Sequence, residues 1–514
     1  MKSRKYLPKA ETIKNKKYRR KGSVLIFIVV ISAVGATVLL GLVTFVASQD
    51  KNSRRESAKE QSFGVAEEGI YWYRWYLAHM IEGKTAREVD EFWTSGNPIG
   101  VTIPYEVEVR DPSGGALGKY KLEITPPPTG SSIIIAKSTG WTYKQPNVKR
   151  VIQVRFRKPA WCEYVVLGNS DIRFGAGTEV YGMIHSNGGV QFDGVAHHLV
   201  TALPEEYWSN DNDVKGWHDG VWTNNPPESE RFLAGRQFPV AEKSFNSVIA
   251  NLNLAKDYSQ PGEGGLYLGQ DKVDQEYCDW VRVGNRRVWT CWTENKKVRG
   301  YHIVFNPVSG EGNDTMSISM VVDYGSNSYK IEEETPAVIY NIPENGLIFV
   351  ENNTWVEGQI DNEHLTVVAA DLTEAEGEPE PPGHDKDIYI NNDILYTNKD
   401  GRDILGLLAQ DNVTVGLYSD DNLEIDAAVL ARRGRVGRDY YNDHEPAYYK
   451  RDTITIFGAI VTNGRYGFSW LDIAGNWVSG YETRNIVFDN NLLYYPPPFF
   501  PTGDKYQIDL WEEL

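Results

Sequence analysis

Hydrophobic and polar positions define three successive patterns, and the first is helical. No residue is charged from Ser23 to Ser48. A helix of this length would span about 39 Å, enough to cross the roughly 30 Å hydrocarbon core of a membrane. Residues 49–95 then carry an apolar stripe at intervals of three and four residues, formed by Phe63, Ala66, Ile70, Tyr73 and Leu77. The pattern predicts a transmembrane helix over 23–48 that continues as an amphipathic helix over 49–95.

The second pattern consists of short alternating strands. Four strand-like runs follow the helix, and turns rich in Pro, Gly and Asn separate them. Their sequences are YEVEVRD, GKYKLEITP, SSIIIAKS and KRVIQVRFRK. They predict a small antiparallel β domain over residues 96–160, so the chain as a whole is expected to be mainly β.

The third pattern is a repeat within residues 161–514. VYGMIHSNGG at 180–189 and IFGAIVTNGR at 456–465 both read apolar-x-Gly-x-Ile-x-x-Asn-Gly, and looser copies are VEGQIDN at 356–362 and IDAAVLA at 425–431. Short strands with small residues at fixed places and Asn-Gly at turns are typical of a right-handed parallel β-helix, in which each rung stacks on the one below. A β-sandwich is the alternative, because short alternating strands suit it as well.

Two segments interrupt the repeat. Residues 201–320 contain few regular rungs, so we expect an insertion there. Residues 373–387, TEAEGEPEPPGHDKD, are acidic and rich in proline, which predicts a solvated loop. The spacing of its carboxylates matches neither an EF-hand nor a nonapeptide calcium loop, and we predict no metal site.

Charge is divided unevenly along the chain. Ten basic residues and one acidic residue precede Gly22, which leaves 43 basic and 69 acidic residues in the remainder. The positive-inside rule then predicts a cytoplasmic leader over residues 1–22 and a body on the extracellular side. Because so acidic a body would repel nucleic acid and anionic lipid, we predict neither of them as a partner of the body. The alternative is a signal peptide cleaved near VASQD at 46–50.

The sequence Lys21-Gly22-Ser23, followed by a long apolar helix, resembles the class III signal of type IV pilins. Within the type IV pilins, this N-terminal region most resembles PilX-like minor pilins. The segment IIAKSTGW at 134–141 also resembles a strand end of PilX-like sequences. The resemblance implies cleavage by prepilin peptidase between Gly22 and Ser23, retention of the apolar helix, and other pilin-like subunits as partners. Phe27 stands where major pilins have Glu, which implies a minor or specialised subunit. The alternative is an ordinary membrane anchor with its N-terminus in the cytoplasm.

The cysteines predict one disulfide bond. In CDWVRVGNRRVWTC, Gly284-Asn285 forms a two-residue hairpin turn. Pairing outward from this turn places Cys278 opposite Cys291 at a position without ladder hydrogen bonds, where Cα atoms lie about 4.5 Å apart. Trp280 and Trp289 fall on the same face of the hairpin. Cys162 has no evident partner, and we expect it to be buried.

No catalytic motif is present: Walker, H-E-x-x-H, G-x-S-x-G and CxxC patterns are all absent from the sequence. We therefore predict a non-enzymatic, surface-exposed subunit without a cofactor, whose body is displayed for adhesion or structural contact. Exposed aromatic rings would suit stacking on surface glycans, and packing within the core is the alternative explanation of the many aromatic residues. One alternative is a membrane-tethered, polysaccharide-acting enzyme, which would need carboxylates beside aromatic residues in a groove. Another is an envelope scaffold without any connection to pili.

Overall fold

The computed structural model describes residues 22–514, except 212, 244, 246–247, 308–313, 373–384, 473–474 and 504. The predicted leader, apart from Gly22, lies outside the described residues. So does the predicted acidic loop, apart from residues 385–387. The described chain is mainly β, with one long apolar helix and several sheets.

The first helix, α1, spans Gly22–Met80 without interruption. Large side chains between Val24 and Val46 are 52–69% exposed, whereas Ala66, Ile70 and Leu77 are fully buried. The predicted helix over 49–95 is in fact divided, because a second helix, α2, spans Ala86–Thr94. Gly83, at a φ of 74°, provides the turn between them.

The capping box at the start of α2 explains why a new helix begins there. The backbone N–H of Thr85 donates to the Glu88 carboxylate at 2.9 Å, and the Thr85 hydroxyl accepts from the Glu88 backbone N–H at 3.3 Å. This reciprocal pair satisfies backbone donors that the first turn of any helix leaves free. The break at Gly83 depends on this local capping, so the spacing of apolar residues alone did not predict it.

The buried stripe of α1 packs against an antiparallel sheet, whose interior includes Leu122, Ile134, Val154 and Phe156. The four predicted strands are all present, and each pairs with the next in sequence. They are β1 Tyr105–Arg110, β2 Ala116–Thr125, β3 Ile134–Thr142 and β4 Gln145–Arg157.

Two glycines allow α1 to lie directly on β3. A Cβ added at Gly140 would lie 2.3 Å from the Ser62 carbonyl oxygen, and one added at Gly69 would lie 2.6 Å from the Ser138 hydroxyl. Backbone and side-chain atoms of helix and strand therefore meet where a larger residue has no room. This contact gives a physical reason for the Ser-Thr-Gly sequence at 138–140.

The remaining residues form a large body with many short strands, the first group of which extends to residue 237. These strands are β5 Val166–Gly168, β6 Ile172–Phe174, β7 Thr178–Tyr181, β8 Ile184–Ser186, β9 Val190–Phe192, β10 Val195–Ala196, β11 Val200–Ala202, β12 Glu206–Ser209, β13 Gly216–Asp219, β14 Val221–Trp222 and β15 Arg236–Gln237.

A helix, α3, spans Val248–Tyr258 and connects this group to the second group of strands. The second group begins with β16 Leu266–Leu268, β17 Lys272–Val283, β18 Arg286–Lys297, β19 Gly300–Asn306, β20 Thr315–Tyr324, β21 Ile331–Glu334, β22 Val338–Asn341, β23 Leu347–Val350, β24 Asn353–Ile360 and β25 His364–Ala369. It continues with β26 Ile388–Ile390, β27 Ile394–Tyr396, β28 Ile404–Ala409, β29 Val413–Val415, β30 Asn422–Ala431, β31 Val436–Arg438, β32 Lys450–Thr462, β33 Ser469–Leu471 and β34 Trp477–Phe488.

Most pairings in the body are parallel, and one column shows the order of the stack. It runs through β16, β23, β25, β28, β30 and β32 and then continues through β5, β8, β11 and β15. The first strand of the body thus lies in the middle of the column, beside one of the last. From β5 the chain builds one end of the stack, as far as β15. It then passes through α3 to the opposite end, at β16, and the later strands add in order until β32 lies beside β5.

Antiparallel hairpins interrupt the stack within the predicted insertion at 201–320. They are β12–β13, β17–β18 and β19–β20. Of these, β19 also pairs in parallel with β24, so it belongs to the stack as well as to a hairpin.

The last strand, β35 Gln507–Glu513, returns to the first sheet and pairs antiparallel with β4. The sequence assigned all of 161–514 to the body, and that assignment is corrected here for these last residues. The edge of the long strand β4 offers unpaired backbone groups that a further strand can satisfy. We call the unit formed by α1, α2, β1–β4 and β35 the helix–sheet domain, and the body is inserted between β4 and β35.

Candidate functional sites

The apolar half of α1 is the first candidate site, as a surface for lipid or neighbouring helices. The stretch Val24–Met80 contains the one helix in the described chain that is long and apolar enough to cross a membrane, with a mean hydropathy of 2.8 in its most apolar window. Gly22, on one side of the predicted cleavage position, is the first residue of α1. Phe27, at the position of the departure from major pilins, is 68% exposed.

The junction between helix–sheet domain and body is held by charged residues. Asp509 on β35 accepts hydrogen bonds from Arg155 at 2.9 and 2.5 Å and also from Arg157. Burial alone would raise the pKa of the Asp509 carboxyl, but the two arginines outweigh this effect and hold the pKa below its ordinary value. Arg157 in addition pairs with Glu163, at the entrance to the body.

The chain enters and leaves the body side by side. The Trp161 N–H donates to the Pro501 carbonyl at 3.0 Å, and the Gly503 N–H donates to the Pro159 carbonyl at 2.8 Å. An insertion with adjacent ends can be large without separating the strands that flank it. Sequence reasoning missed this junction, because its two halves lie more than 300 residues apart.

A cavity of about 510 Å³ lies next to this junction, between the helix–sheet domain and the body. Its walls include Trp93, Pro127, Phe499 and Tyr506. At one side, the Tyr258 hydroxyl of α3 donates to Asp90 of α2 at 2.7 Å. Burial raises the pKa of the Tyr258 hydroxyl, and the carboxylate at Asp90 raises it further.

The predicted disulfide pair lies in a projecting hairpin. Cys278 and Cys291 are bonded, with a Cα–Cα distance of 4.0 Å, and their strands β17 and β18 have the register that the Gly284-Asn285 turn predicts. Trp280 and Trp289 face each other with ring centroids 5.6 Å apart. Every residue from Cys278 to Asn295 is exposed.

Cys162 lies elsewhere and is buried, as the sequence predicts. It packs in a hydrophobic cluster with Trp161 and Leu167 near the entrance to the body. Burial raises the pKa of its thiol well above the ordinary value. A buried thiol with a raised pKa is a poor nucleophile, so this residue is structural.

A cleft of about 350 Å³ on the body contains the carboxylates that a polysaccharide-acting enzyme would need. Glu332, Glu334 and Glu357 line it together with Tyr418 and His302. Within the cleft, His302 Nδ1 lies 3.0 Å from Glu334 and its Nε2 lies 3.3 Å from Glu357. The imidazole thus bridges two of the carboxylates.

The electrostatics of this cleft do not match those of a general acid. The hydrogen bond from His302 lowers the pKa of the Glu357 carboxyl below its ordinary value. Burial would lower the pKa of His302, but Glu357 and Glu334 raise it to a net value above the ordinary one. A glycosidase acid needs the opposite, a carboxyl whose pKa is raised so that it holds a proton at neutral pH.

No protein-family model matches the sequence. No curated protein matches it either. Among solved structures, the chain is similar to the crystal structure of the competence-associated pilin ComZ from Thermus thermophilus, with a TM-score of 0.30 and 12% identity over 89% of this chain and 97% of that chain. At this TM-score the likeness supports no conclusion about fold or function.

Proposed function

We propose that the chain is a membrane-anchored, pilin-like subunit associated with type IV pili, which displays its body at the cell surface for adhesion or structural contact. The observation that carries the proposal is the difference in exposure between the two halves of α1. Its apolar half is exposed over Val24–Val46, and its second half is buried on an antiparallel sheet. A free apolar helix attached to a small sheet domain suits a protein that inserts one end into lipid or into a bundle of like helices.

The direction of insertion follows from charge. The basic residues before Gly22 favour the cytoplasmic side, and the acidic remainder favours the outside. Prepilin peptidase would then cut between Gly22 and Ser23 on the cytoplasmic face. This cleavage would leave the membrane helix in the mature subunit, where it can pack against the helices of other subunits.

We propose further that the displayed body is a parallel β-helix. Ile456 of the repeat pairs with Ile486, and Ile486 pairs with Val180 of the other clear copy. Asparagines at the bend are linked in the same order: Asn187 donates to Asn169 and Asn169 donates to Asn463, each at 2.8 Å. Parallel columns with a ladder of asparagines at one bend are typical of β-helices.

The mass of the mature N-terminus tests the proposal. The full chain is produced together with a prepilin peptidase, and we expect a mature protein that begins at Ser23. The variant Gly22→Val should keep its leader, because a side chain is introduced directly at the cleavage position. Gly35→Val is the matched control, since nothing lies within 4 Å of a Cβ at Gly35, and it should be processed like the wild type.

Two other results would contradict the proposal. A wild-type chain that retains residues 1–22 would be an ordinary membrane anchor. A chain that begins beyond Ser48 would be a secreted protein cleaved by signal peptidase, and its body would then leave the membrane.

The cleft with Glu332, Glu334 and Glu357 supports a second candidate function, a polysaccharide-acting enzyme. The pKa of Glu357 counts against it, and so does the imidazole that bridges Glu334 and Glu357. Release of reducing ends from cell-surface polysaccharides would test it, with Glu357→Gln as the decisive variant. We expect no release above the blank, and release that Glu357→Gln abolishes would favour the enzyme.

A further inference from the structure

The hairpin of β17 and β18 extends away from the body. At its base, the Tyr277 hydroxyl donates to Glu333 at 2.8 Å and Lys296 pairs with the same carboxylate at 2.9 Å. Beyond Tyr277 every residue of the hairpin up to the turn is exposed. We call residues 278–291 the ribbon tip. Its six residue pairs extend about 20 Å, given roughly 3.4 Å per residue in an antiparallel strand.

Both faces of the ribbon tip carry exposed apolar side chains. One face carries Trp280 and Trp289, which are 57% and 53% exposed. The other carries Val281, Val283 and Val288, which are 40%, 62% and 45% exposed. A strand pair that covered a protein surface would expose one face only. Apolar side chains on both faces instead fit a partner that surrounds the tip.

The ribbon tip is basic, although the chain is strongly acidic. Arg282, Arg286 and Arg287 lie at or beside the turn, and Asp279 is the only acidic residue of the tip. The screening length at physiological salt is about 8 Å. The end of a tip about 20 Å long is therefore largely screened from the acidic body and can approach an anionic surface.

We propose that the ribbon tip binds the surface of an anionic lipid bilayer. Tryptophan prefers the boundary between lipid headgroups and hydrocarbon, and arginine can extend its guanidinium to phosphate while its methylene chain remains among apolar groups. Basic residues are attracted to anionic headgroups, and apolar burial adds to that attraction. The disulfide between Cys278 and Cys291 holds the two strands together beneath the tryptophans, so little order has to be gained on binding.

The valines favour lipid over an acidic polysaccharide or a nucleic acid. A sugar or a base would stack on Trp280 or Trp289, and an anion would pair with the arginines. Neither ligand would use the exposed aliphatic face formed by Val281, Val283 and Val288. A lipid surface accommodates both faces at once.

The chain contains its own control, the hairpin of β12 and β13. Trp208 and Trp217 form a similar exposed pair there, with ring centroids 5.8 Å apart and exposures of 42% and 67%. The loop of that hairpin contains Asp211, Asp213 and Lys215 but no arginine. Both aspartates pair with arginines of neighbouring segments of the body. The β12–β13 hairpin therefore presents a similar aromatic pair without exposed arginines of its own.

The experiment measures binding of the full chain to vesicles. The chain is held in nanodiscs of phosphatidylcholine, so that α1 already occupies lipid, and is floated with separate vesicles. We expect it to float with vesicles that contain phosphatidylglycerol and not with phosphatidylcholine vesicles. High salt should weaken the association, because it screens the attraction between arginine and headgroup.

Two double variants probe the two halves of the contact. Arg282→Gln/Arg287→Gln removes charge at exposed positions without affecting the fold, and we expect about tenfold or greater weakening from the loss of two attractions to anionic headgroups. Trp280→Ser/Trp289→Ser should weaken binding to a similar extent. Trp208→Ser/Trp217→Ser should bind like the wild type.

Three results would overturn the proposal. The first is equal flotation with both kinds of vesicle, and the second is equal loss in the β12–β13 control. The third is absence of binding to either kind of vesicle; binding of the ribbon tip to immobilised acidic polysaccharide, to nucleic acid or to a second copy of the chain would then identify its ligand. In that case the arginines serve a different polyanion.

Discussion

The helix–sheet domain and the body solve the same packing problem in opposite ways. The first buries one face of a five-stranded antiparallel sheet under a helix. The second buries apolar residues inside stacked, mostly parallel strands, with a core that runs through the whole column. The sheet draws its strands from segments about 350 residues apart, whereas β28, β30 and β32 of the stack each pair with a strand that lies only 40, 22 and 31 residues earlier in sequence. The large body is therefore an insertion in the helix–sheet domain. Because its two ends are adjacent, its size does not disturb the pairing of β4 with β35.

The two regions also handle buried charge differently. In the helix–sheet domain, Asp509 is paired with two arginines, and its pKa lies below the ordinary value. In the body, burial raises the pKa of Asp426 to about 6 although Lys399 lies 2.8 Å away. The first charge is stabilised by its partners, and the second is only partly compensated for leaving water.

The largest effect is expected for Asp509→Ala. It leaves Arg155 without its carboxylate, and the Arg155 side chain is only 10% exposed. Breaking one side of such a buried pair should lower the free energy of unfolding of the helix–sheet domain by about 3 kcal/mol. Hydrogen exchange of β3 and β4 in the full chain measures this loss. Glu512→Gln on the same strand is the control and should change the exchange little; an equal change in both variants would contradict the role of Asp509.

A smaller loss is expected for Gly140→Ala. The new Cβ would lie 2.3 Å from the Ser62 carbonyl oxygen, so α1 must move away from β3. We expect a loss of about 2 kcal/mol in the helix–sheet domain and none in the body, as measured by hydrogen exchange in each. Gly64→Ala, on the helix α1 that faces β3, is the control, because nothing lies within 4 Å of a Cβ added there, and it should stabilise the domain slightly. If Gly140→Ala is as mild as Gly64→Ala, helix and strand are not in close contact there.

The two regions should respond oppositely to acid. Asp426 in the folded body has a pKa of about 6 against an ordinary value of 3.8, so the folded state binds the proton more tightly. Its contribution to stability is therefore lost as pH rises through about 6, and the body should gain on the order of 1 kcal/mol from about pH 7.5 to about pH 5. For Asp509 the sign is reversed: its contribution is present above the ordinary value and is lost as pH falls through its lowered pKa.

Hydrogen exchange at the two pH values, corrected for the intrinsic rate, measures both effects. Asp426→Asn should reduce the gain of the body without changing the helix–sheet domain. A body that loses stability over the same range, in wild type and variant alike, would contradict the assignment of a raised pKa to Asp426.

The smallest effect is expected for Asn169→Ala. This residue links the strand that enters the body to the strands on either side, through hydrogen bonds to Asn463 and from Asn187. Loss of both should cost about 1 kcal/mol, because each bond is partly replaced by water. Denaturation of the body measures it, with the exposed Asn422→Ala on β30 of the body as the control. Equal midpoints for the two variants would show that the asparagine ladder does not contribute.

Local features of the fold could be predicted from the sequence. The register of β17 and β18 follows from the Gly284-Asn285 turn, because a hairpin fixes its pairing within a few residues. The two clear copies of the repeat are in register, two positions apart in the stack, with β34 or β5 between them. The looser copy VEGQIDN is out of register with them. Gly358 pairs with Ile394, and Ile394 pairs with Ile425, which in turn pairs with Ile456. Gly358 is therefore aligned with Ile456, whereas the repeat pattern would align it with Gly458.

Distant features could not be predicted in this way. Nothing in QIDLWEE at 507–513 indicates a partner more than 300 residues earlier, because alternation identifies a strand but not its neighbour. The position of β5 in the middle of the stack is hidden for the same reason. Among the candidate sites, the disulfide pair depends on a local turn and could be found, whereas the cleft around His302 joins β19, β21 and β24 and could not.

The insertion of the body between β4 and β35 is the central claim, and hydrogen exchange of β35 in the full-length wild type tests it most directly. We expect the amides of Gln507–Glu513 to exchange as slowly as those of β4, and to become fast together with them in Asp509→Ala. Fast exchange in these seven residues of the wild type, while β3 and β4 remain protected, would contradict the account: the C-terminus would then be a free tail, and the helix–sheet domain would be complete before the body begins.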